Sequence, residues 1–301
     1  MPTFRQSFVA RLARRYPLYS GCGSLANSAA LRRLAGESDE SVWSAVPGGE
    51  VLASLDDYVG RSAFYVGELD RKITWICGRI VRQGDVVLDI GANIGMVTVW
   101  LSQLVGPQGR VHSFEPNPLL CERLVAAVDR NRLSNVQLHR FALGPAASEM
   151  SLCIPTHNAG AASLVHRAHP SRSRTITVPV RRLSDVADNE GIRSIRFIKI
   201  DVEGFEDQVL EGGRDVLERV RPESILFEMN ASVGQRVGDN AVVRALKEYG
   251  YGFFAVRRHM MRMRLVAFDP NAVSRLEGHD VLAVAKGPSF DTIAAAVRAV
   301  P

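Results

Sequence analysis

From Gly84 onward, short apolar runs alternate with longer stretches whose apolar residues recur at helical spacing, and no other feature narrows the choice of architecture as much. The strand-like runs are Val86 to Ile90, Arg110 to Phe114, Val136 to Ala142, Phe197 to Asp201 and Ser224 to Glu228. Between them Ile94 to Val105, Pro118 to Arg132, Gly204 to Val220 and Ala241 to Tyr249 read as helices, the first stopped by Gly106-Pro107. Such an order makes an α/β, Rossmann-like parallel sheet with helices on both faces, crossing over right-handed and taking its ligands at the carboxyl ends of the strands. Gly252 to Val256, Leu265 to Phe268 and Val281 to Ala285 suit a closing antiparallel ribbon. Residues 149 to 183 interrupt the rhythm with two β-rich pieces, Met150 to Ile154 and Thr175 to Val180, expected to overhang the strand ends.

The 301 residues, 46% of them apolar, suffice for one large core and a lead-in. No window approaches the roughly 18 to 20 apolar residues of a membrane span, and the N-terminus lacks a secretory signal, so a cytoplasmic location is expected. Cys22, Cys77, Cys121 and Cys153 show neither disulfide nor zinc spacing. The net charge of +5 is spread along the chain with no aromatic-interleaved basic stripe, which argues against a nucleic-acid partner. Near the N-terminus, Arg5, Arg11, Arg14 and Arg15 alternate with Phe4, Phe8, Leu12 and Tyr16 at helical spacing until Pro17. This helix either meets a membrane surface or partner through residues 1 to 16, or caps the catalytic domain. The polar run Gly36 to Ser41 and the turn Pro47-Gly48-Gly49 read as linker, which divides the chain into a lead-in of residues 1–50 and a catalytic domain of 51–301, organised from near Val51. Whether the chain forms a homodimer stays open.

Val87-Leu88-Asp89-Ile90-Gly91-Ala92-Asn93-Ile94-Gly95 is a buried strand entering a glycine turn and then a helix. A dinucleotide enzyme wants G-x-G-x-x-G to bring a helix N-terminus to a pyrophosphate. Here Gly91 and Gly95 stand four apart without the middle glycine. S-adenosylmethionine has no phosphate to cradle, and Asp89 suits the cationic side of such a ligand. The second strand ends in Phe114-Glu115-Pro116-Asn117, placing Glu115 about 20 residues beyond the glycine turn, where a carboxylate accepts from both ribose hydroxyls. Ala92 and Asn93 in the first turn, Pro116 and Asn117 in the second, Ala142 at the end of the third strand, and Glu68 ahead of the first complete the candidate cofactor contacts.

The fourth strand ends in Ile198-Lys199-Ile200-Asp201-Val202-Glu203-Gly204. Lys199, Asp201 and Glu203 alternate at period two, so they are expected on one face at the ligand edge as the catalytic group. The alternative is a structural Lys199–acid pair with Glu203 capping the next helix. Proton acceptors compatible with the spacing are Asp201, Glu203, His157 and His166. The basic run Arg257 to Arg264 either rims the pocket for an anionic substrate or forms a solvated hairpin tip.

Asp89 to Gly95, Phe114 to Pro118 and Ile198 to Gly204 together resemble the FkbM family of methyltransferases. Gly160-Ala-Ala-Ser-Leu164, Val178 to Asp185 and Leu210-Glu-Gly-Gly213 follow in that family's order. The resemblance implies a class I methyltransferase fold, with a mostly parallel seven-stranded sheet and an antiparallel C-terminal strand. It also implies S-adenosylmethionine as donor, no metal, and O-methylation of a hydroxyl on a small molecule or glycan acceptor. Leu183-Ser184-Asp185 departs from the family's two adjacent acids, which puts a role for Asp185 in doubt. Two other classes share the pattern: a nicotinamide oxidoreductase, disfavoured by the missing glycine, and a non-catalytic S-adenosylmethionine-binding module.

Overall fold

The computed structural model describes residues 1–156, 158–165, 172–229, 236–256, 263–273, 276 and 279–298. The chain opens with helices α1 (Phe4–Ala13), α2 (Cys22–Ala26) and α3 (Ala29–Ala35), the hairpin β1 (Ser41–Val46) and β2 (Gly49–Ser54), and helices α4 (Tyr58–Tyr65) and α5 (Arg71–Ile80). Then come β3 (Val86–Ile90), α6 (Met96–Val105), β4 (Arg110–Phe114), α7 (Pro118–Arg130), β5 (Val136–His139), β6 (Ala142–Leu143), β7 (Ser148–Pro155), β8 (Ser173–Arg181) and α8 (Leu183–Asn189). The last third holds β9 (Phe197–Ile200), α9 (Glu206–Gly212), β10 (Ser224–Glu228), α10 (Ala241–Glu248), β11 (Tyr251–Val256), β12 (Leu265–Phe268), β13 (Asp280–Ala285) and α11 (Phe290–Arg298).

The central sheet runs β12-β11-β13-β10-β9-β3-β4-β5. Its five strands from β10 to β5 are parallel, and β13, β11 and β12 close it antiparallel. The mostly parallel sheet is as expected, with eight strands instead of seven because β12 adds an outer edge. Alternate residues of each strand feed two cores. Leu88, Ile90, Ile198, Ile200, Ile225 and Phe227 face α8, α9 and α10. Val87, Val111, Phe197 and Leu226 face α5, α6 and α11. Burial on both faces explains the continuous apolar run Ile225-Leu226-Phe227 of β10, each buried Ile or Phe contributing about 1.5–3 kcal/mol.

Three differences from the sequence expectation have local causes. The helix expected over 204–220 stops at Gly212 and resumes as a π turn over Val216–Val220. A Cβ on Gly212 would lie 1.9 Å from the Gly144 carbonyl oxygen, and the Ser184 hydroxyl donates to the Gly212 carbonyl at 2.9 Å. The Leu183-Ser184-Asp185 departure is thereby explained: Ser184 is the packing residue, while Asp185 sits exposed beside Arg182. Secondly, the strand expected over Val136–Ala142 stops at His139, and Ala142–Leu143 leave the central sheet as β6 to pair with β8 of the β7–β8 hairpin, which the two β-rich pieces of the insertion form as expected.

Thirdly, organised structure begins at Phe4, well before Val51, and the β1–β2 hairpin runs across residue 50. The Arg14 guanidinium ties α1 to the Ala45, Ala63 and Phe64 carbonyls at 2.9, 3.2 and 3.0 Å. Helix α1, started by a Thr3/Gln6 capping box, buries Gln6 and Ala10 and leaves Phe4, Phe8 and Leu12 at 88, 55 and 52% exposure.

Candidate active site

The β3–α6 turn is drawn against two neighbouring strands. The N–H groups of Gly91 and Ala92 both donate to the Phe114 carbonyl at 3.0 Å. Gly91 has φ +80°, and a Cβ there would stand 1.9 Å from the carbonyl oxygen of Asp201. Only glycine meets both conditions. Beside this turn lies a cavity of about 220 Å³. Gly91, Ala92 and Asn93 line it, with Glu68, Glu115, Pro116, Ala142, Lys199, Asp201 and Glu203. The cavity walls are otherwise largely apolar, with Ile94, Val97, Leu120 and Phe141 among them.

Glu115 is the buried acid of this cavity. Its two carboxyl oxygens accept the N–H of Asn93 at 2.8 Å and of Asn117 at 2.9 Å. Burial pushes its carboxyl up to about 7, against the pull of those N–H groups and of Lys199, with Asp89 adding to the rise. Asn93 sits at φ +54° to deliver its N–H. Glu68 is held by Arg71 at 3.3 Å and by the Thr74 hydroxyl.

Three expected cofactor residues stand outside the cavity lining. Asn117 is buried as the N-cap of α7, where its side chain accepts from Leu119 N–H at 3.1 Å. Gly95 begins α6 and packs against Leu124. Asp89 is wholly buried beneath the turn, because its strand position faces the α5–α6 side of the sheet. It accepts from the Thr98 hydroxyl at 2.7 Å, and its other oxygen, without a hydrogen bond among the described residues, lies 3.4 Å from Lys199 Nζ. Its influence on the cavity therefore runs through Lys199.

Lys199 is the staple of the site. Its ammonium donates to the Gly91 carbonyl at 2.8 Å and stands 3.4 Å from Asp201 as well as Asp89. Burial alone would lower its pKa, but the Asp201 and Asp89 carboxylates outweigh it and the net direction is up, so Lys199 stays a cation and accepts no proton. Asp201 is 40% exposed. The expected three-residue alternation does not extend to Glu203, which lies past β9 in a turn at φ +53°. Glu206, unremarked in the sequence, shapes that turn by accepting the N–H groups of Val202 and Gly204 at 3.4 and 3.2 Å. The Ser163 hydroxyl donates to the Glu203 carbonyl at 2.9 Å, so the Gly160–Leu164 motif pins the insertion over the reacting edge.

A second cavity of about 330 Å³ adjoins the first across Asp201 and Glu203 and brings in Lys72, Glu228 and Asp280. Strand register places Glu228 beside Asp201: Leu226 pairs with Lys199, so Glu228 follows on the face of Asp201. Lys72 and Asp280, 208 residues apart, carry no local signal. His157, His166 and Arg257 to Arg262 lie outside the described residues. Among the described residues no group of three or more His, Cys, Asp or Glu is placed to hold a metal ion.

Residues 89–253 match the methyltransferase FkbM domain family. The chain is 29% identical over 233 residues to the 31-O-demethyl-FK506 methyltransferase FkbM of Streptomyces tacrolimicus, covering 68% of this chain and 87% of that one. It is 31% identical over 162 residues to the 2-O-methyltransferase NoeI of Sinorhizobium fredii, 48% of this chain and 64% of that one. It is 26% identical over 152 residues to the hexuronic acid methyltransferase AglP of Haloferax volcanii, 50% and 59% of the two chains. Match and geometry agree, and the chain belongs to the FkbM methyltransferase family, with S-adenosylmethionine as its methyl donor.

Proposed function

We propose that this enzyme methylates a hydroxyl oxygen of a sugar, glycan or secondary metabolite, with the donor in the 220 Å³ cavity. The observation that carries the reading is a buried carboxyl, Glu115, set in a largely apolar cavity that Asp201 also lines. A nucleoside fits those walls: apolar surface for a base, and one carboxylate for the ribose diol. When bound, S-adenosylmethionine supplies a methyl group on a sulfonium, already a good leaving group. The chain's own residues supply alignment and a proton acceptor. Glu115 takes the ribose hydroxyls, Lys199 locks the Gly91 turn to Asp201, and Asp201 with Glu203 borders the space where an acceptor hydroxyl enters. Alignment contributes about 7–11 kcal/mol and a positioned base about 10²–10⁴-fold. The named activities of two relatives, a 31-O-demethyl-FK506 methyltransferase and a 2-O-methyltransferase, support oxygen as the methylated atom. Incubation with isotopically labelled donor and a panel of sugars, glycolipids and macrolides tests it, label on oxygen being the expected result. Thermal stabilisation by NAD(P) but not by S-adenosylhomocysteine would replace it with the oxidoreductase reading.

In the same proposal residues 51–301 are the catalytic domain, residues 1–50 a lead-in that braces α4, and the enzyme works in the cytoplasm. Among the described residues no helix is long and apolar enough to cross a membrane. We assign α1 to the surface of an anionic bilayer: Phe4, Phe8 and Leu12 lie outward on one face with the exposed Arg11 and Arg15. Vesicles rich in phosphatidylserine are expected to pellet the protein, each arginine removed weakening binding about fivefold. Equal recovery of wild type and Phe8→Ser/Leu12→Ser with those vesicles would remove the assignment, and a concentration-dependent dimer lost in the same variant would reassign the face to a second copy.

A further inference from the structure

The reaction needs a place for the acceptor and a group to take its proton, and the second cavity offers both. Glu228 ends β10, where it pairs with Asp280 of β13 and lies next to the Asp201 tip of β9. The two cations among the described residues of this cavity are already engaged by other acids. Lys72 Nζ is 2.6 Å from Asp280 and 2.9 Å from Asp70, and Lys199 is held by Asp89 and Asp201. Among the described residues no cationic side chain comes within ion-pair distance of the Glu228 carboxyl. Among the described residues the lining carries five carboxyl groups, those of Asp70, Asp201, Glu203, Glu228 and Asp280, and two ammonium groups.

We propose that this cavity is the acceptor subsite, that Glu228 is the base that receives the acceptor's proton, and that the subsite takes uncharged hydroxyl compounds in preference to carboxylates or phosphates. The assignment rests on the hydroxyl-methylation reading above and deepens it. As the new O–CH₃ bond forms and the S–CH₃ bond breaks, the hydroxyl proton passes to the Glu228 carboxylate. The electron pair of the broken bond stays on sulfur, and the products are the methyl ether and neutral S-adenosylhomocysteine. The proton is then lost to water through the open side of the cavity.

The groups facing Glu228 also equip it as a base. Burial, then Asp201, Glu203 and Asp280, then Glu206, push its carboxyl up to about 7, while Tyr58, Asp70, Lys72, Lys199 and His279 complete the ionisable lining among the described residues. A carboxylate with the usual affinity for protons is a poor base at neutral pH, whereas one near 7 is matched to it. The excess of acids among the described lining residues repels an anionic acceptor, since like charges brought together are costly. Asp201, although nearer the donor cavity, is engaged by Lys199 and serves to hold that cation in place.

The test uses the full-length enzyme with labelled S-adenosylmethionine and matched pairs of acceptors, a neutral methyl glycoside and its uronate among them, over pH 5.5 to 8.5. Wild type is expected to favour the neutral partner at least tenfold, with a rate that rises through pH 7. Glu228→Gln is expected to bind S-adenosylhomocysteine within twofold of wild type, to lose about 10²–10⁴-fold in kcat, and to lose the rise near pH 7. Glu228→Asp should recover part of kcat, which a purely structural role would not require. A Glu228→Gln enzyme with near wild-type kcat and an unchanged pH profile overturns the assignment of the base and leaves the hydroxyl reading standing. A preference for the uronate overturns the substrate class. Methyl transfer to nitrogen or carbon alone overturns the hydroxyl reading, and this inference with it.

Discussion

Cofactor binding should carry the titration of Glu115. The free carboxyl protonates near 7, and only the ionised form accepts from two ribose hydroxyls while retaining the Asn93 and Asn117 N–H groups. The ionised fraction is about nine-tenths at pH 8 and about one-tenth at pH 6, so the apparent Kd for S-adenosylhomocysteine should weaken about tenfold over that interval, or about 1.4 kcal/mol. Proton release on binding near pH 7 follows, visible in calorimetry as a heat that depends on the buffer. Glu115→Gln keeps the shape but offers one oxygen to two backbone N–H groups and to the ligand. Losing charge-assisted bonds worth about 1.5–3 kcal/mol each should weaken binding by 10²-fold or more, by about 3 kcal/mol, and flatten its pH dependence. The ligand-free protein gives the sign from the other side. The folded pKa lies above the unfolded value, so the folded state retains a proton that the unfolded state releases, and stability falls as pH rises from 4.5 to about 7 and then levels off. A Kd constant within twofold from pH 6 to 8, or the same slope in Glu115→Gln, would refute the role given to this carboxyl.

Gly91→Ala combines a positive φ with a Cβ driven onto the Asp201 carbonyl, so it should cost at least about 2 kcal/mol in urea unfolding and abolish S-adenosylhomocysteine binding; a variant within about 0.5 kcal/mol of wild type would contradict the packing described. Lys199→Met strips the counter-charge from the wholly buried Asp89 and should destabilise by about 3–5 kcal/mol, with part restored when Asp89→Asn is added; strictly additive losses in the double variant would show the two not to be coupled.

Much of the site can be read from the chain because it is built from local rules. Period-two and period-3.6 apolar spacing follows from backbone geometry, so β3, β4, β9 and β10 and both faces of their sheet are legible, as is a glycine turn at Gly91 and an acid at the tip of the next strand. What tertiary structure decided were relations between distant segments. Asp89 and Asp201 look alike at the ends of two strands. Only the packing of α5 and α6 over one of them buries Asp89, while Asp201 stays at the open edge. The end of β9 at Ile200 takes Glu203 out of the alternation, and Glu206 bends the turn that does so. Lys72 reaches Asp280 across 208 residues, and Glu228 finds itself between two acids because β10 is flanked by β9 and β13. The periodic pattern says which way a side chain points from its own backbone. Which charges it then meets depends on strand order and helix docking, set by the burial of apolar faces over the whole domain.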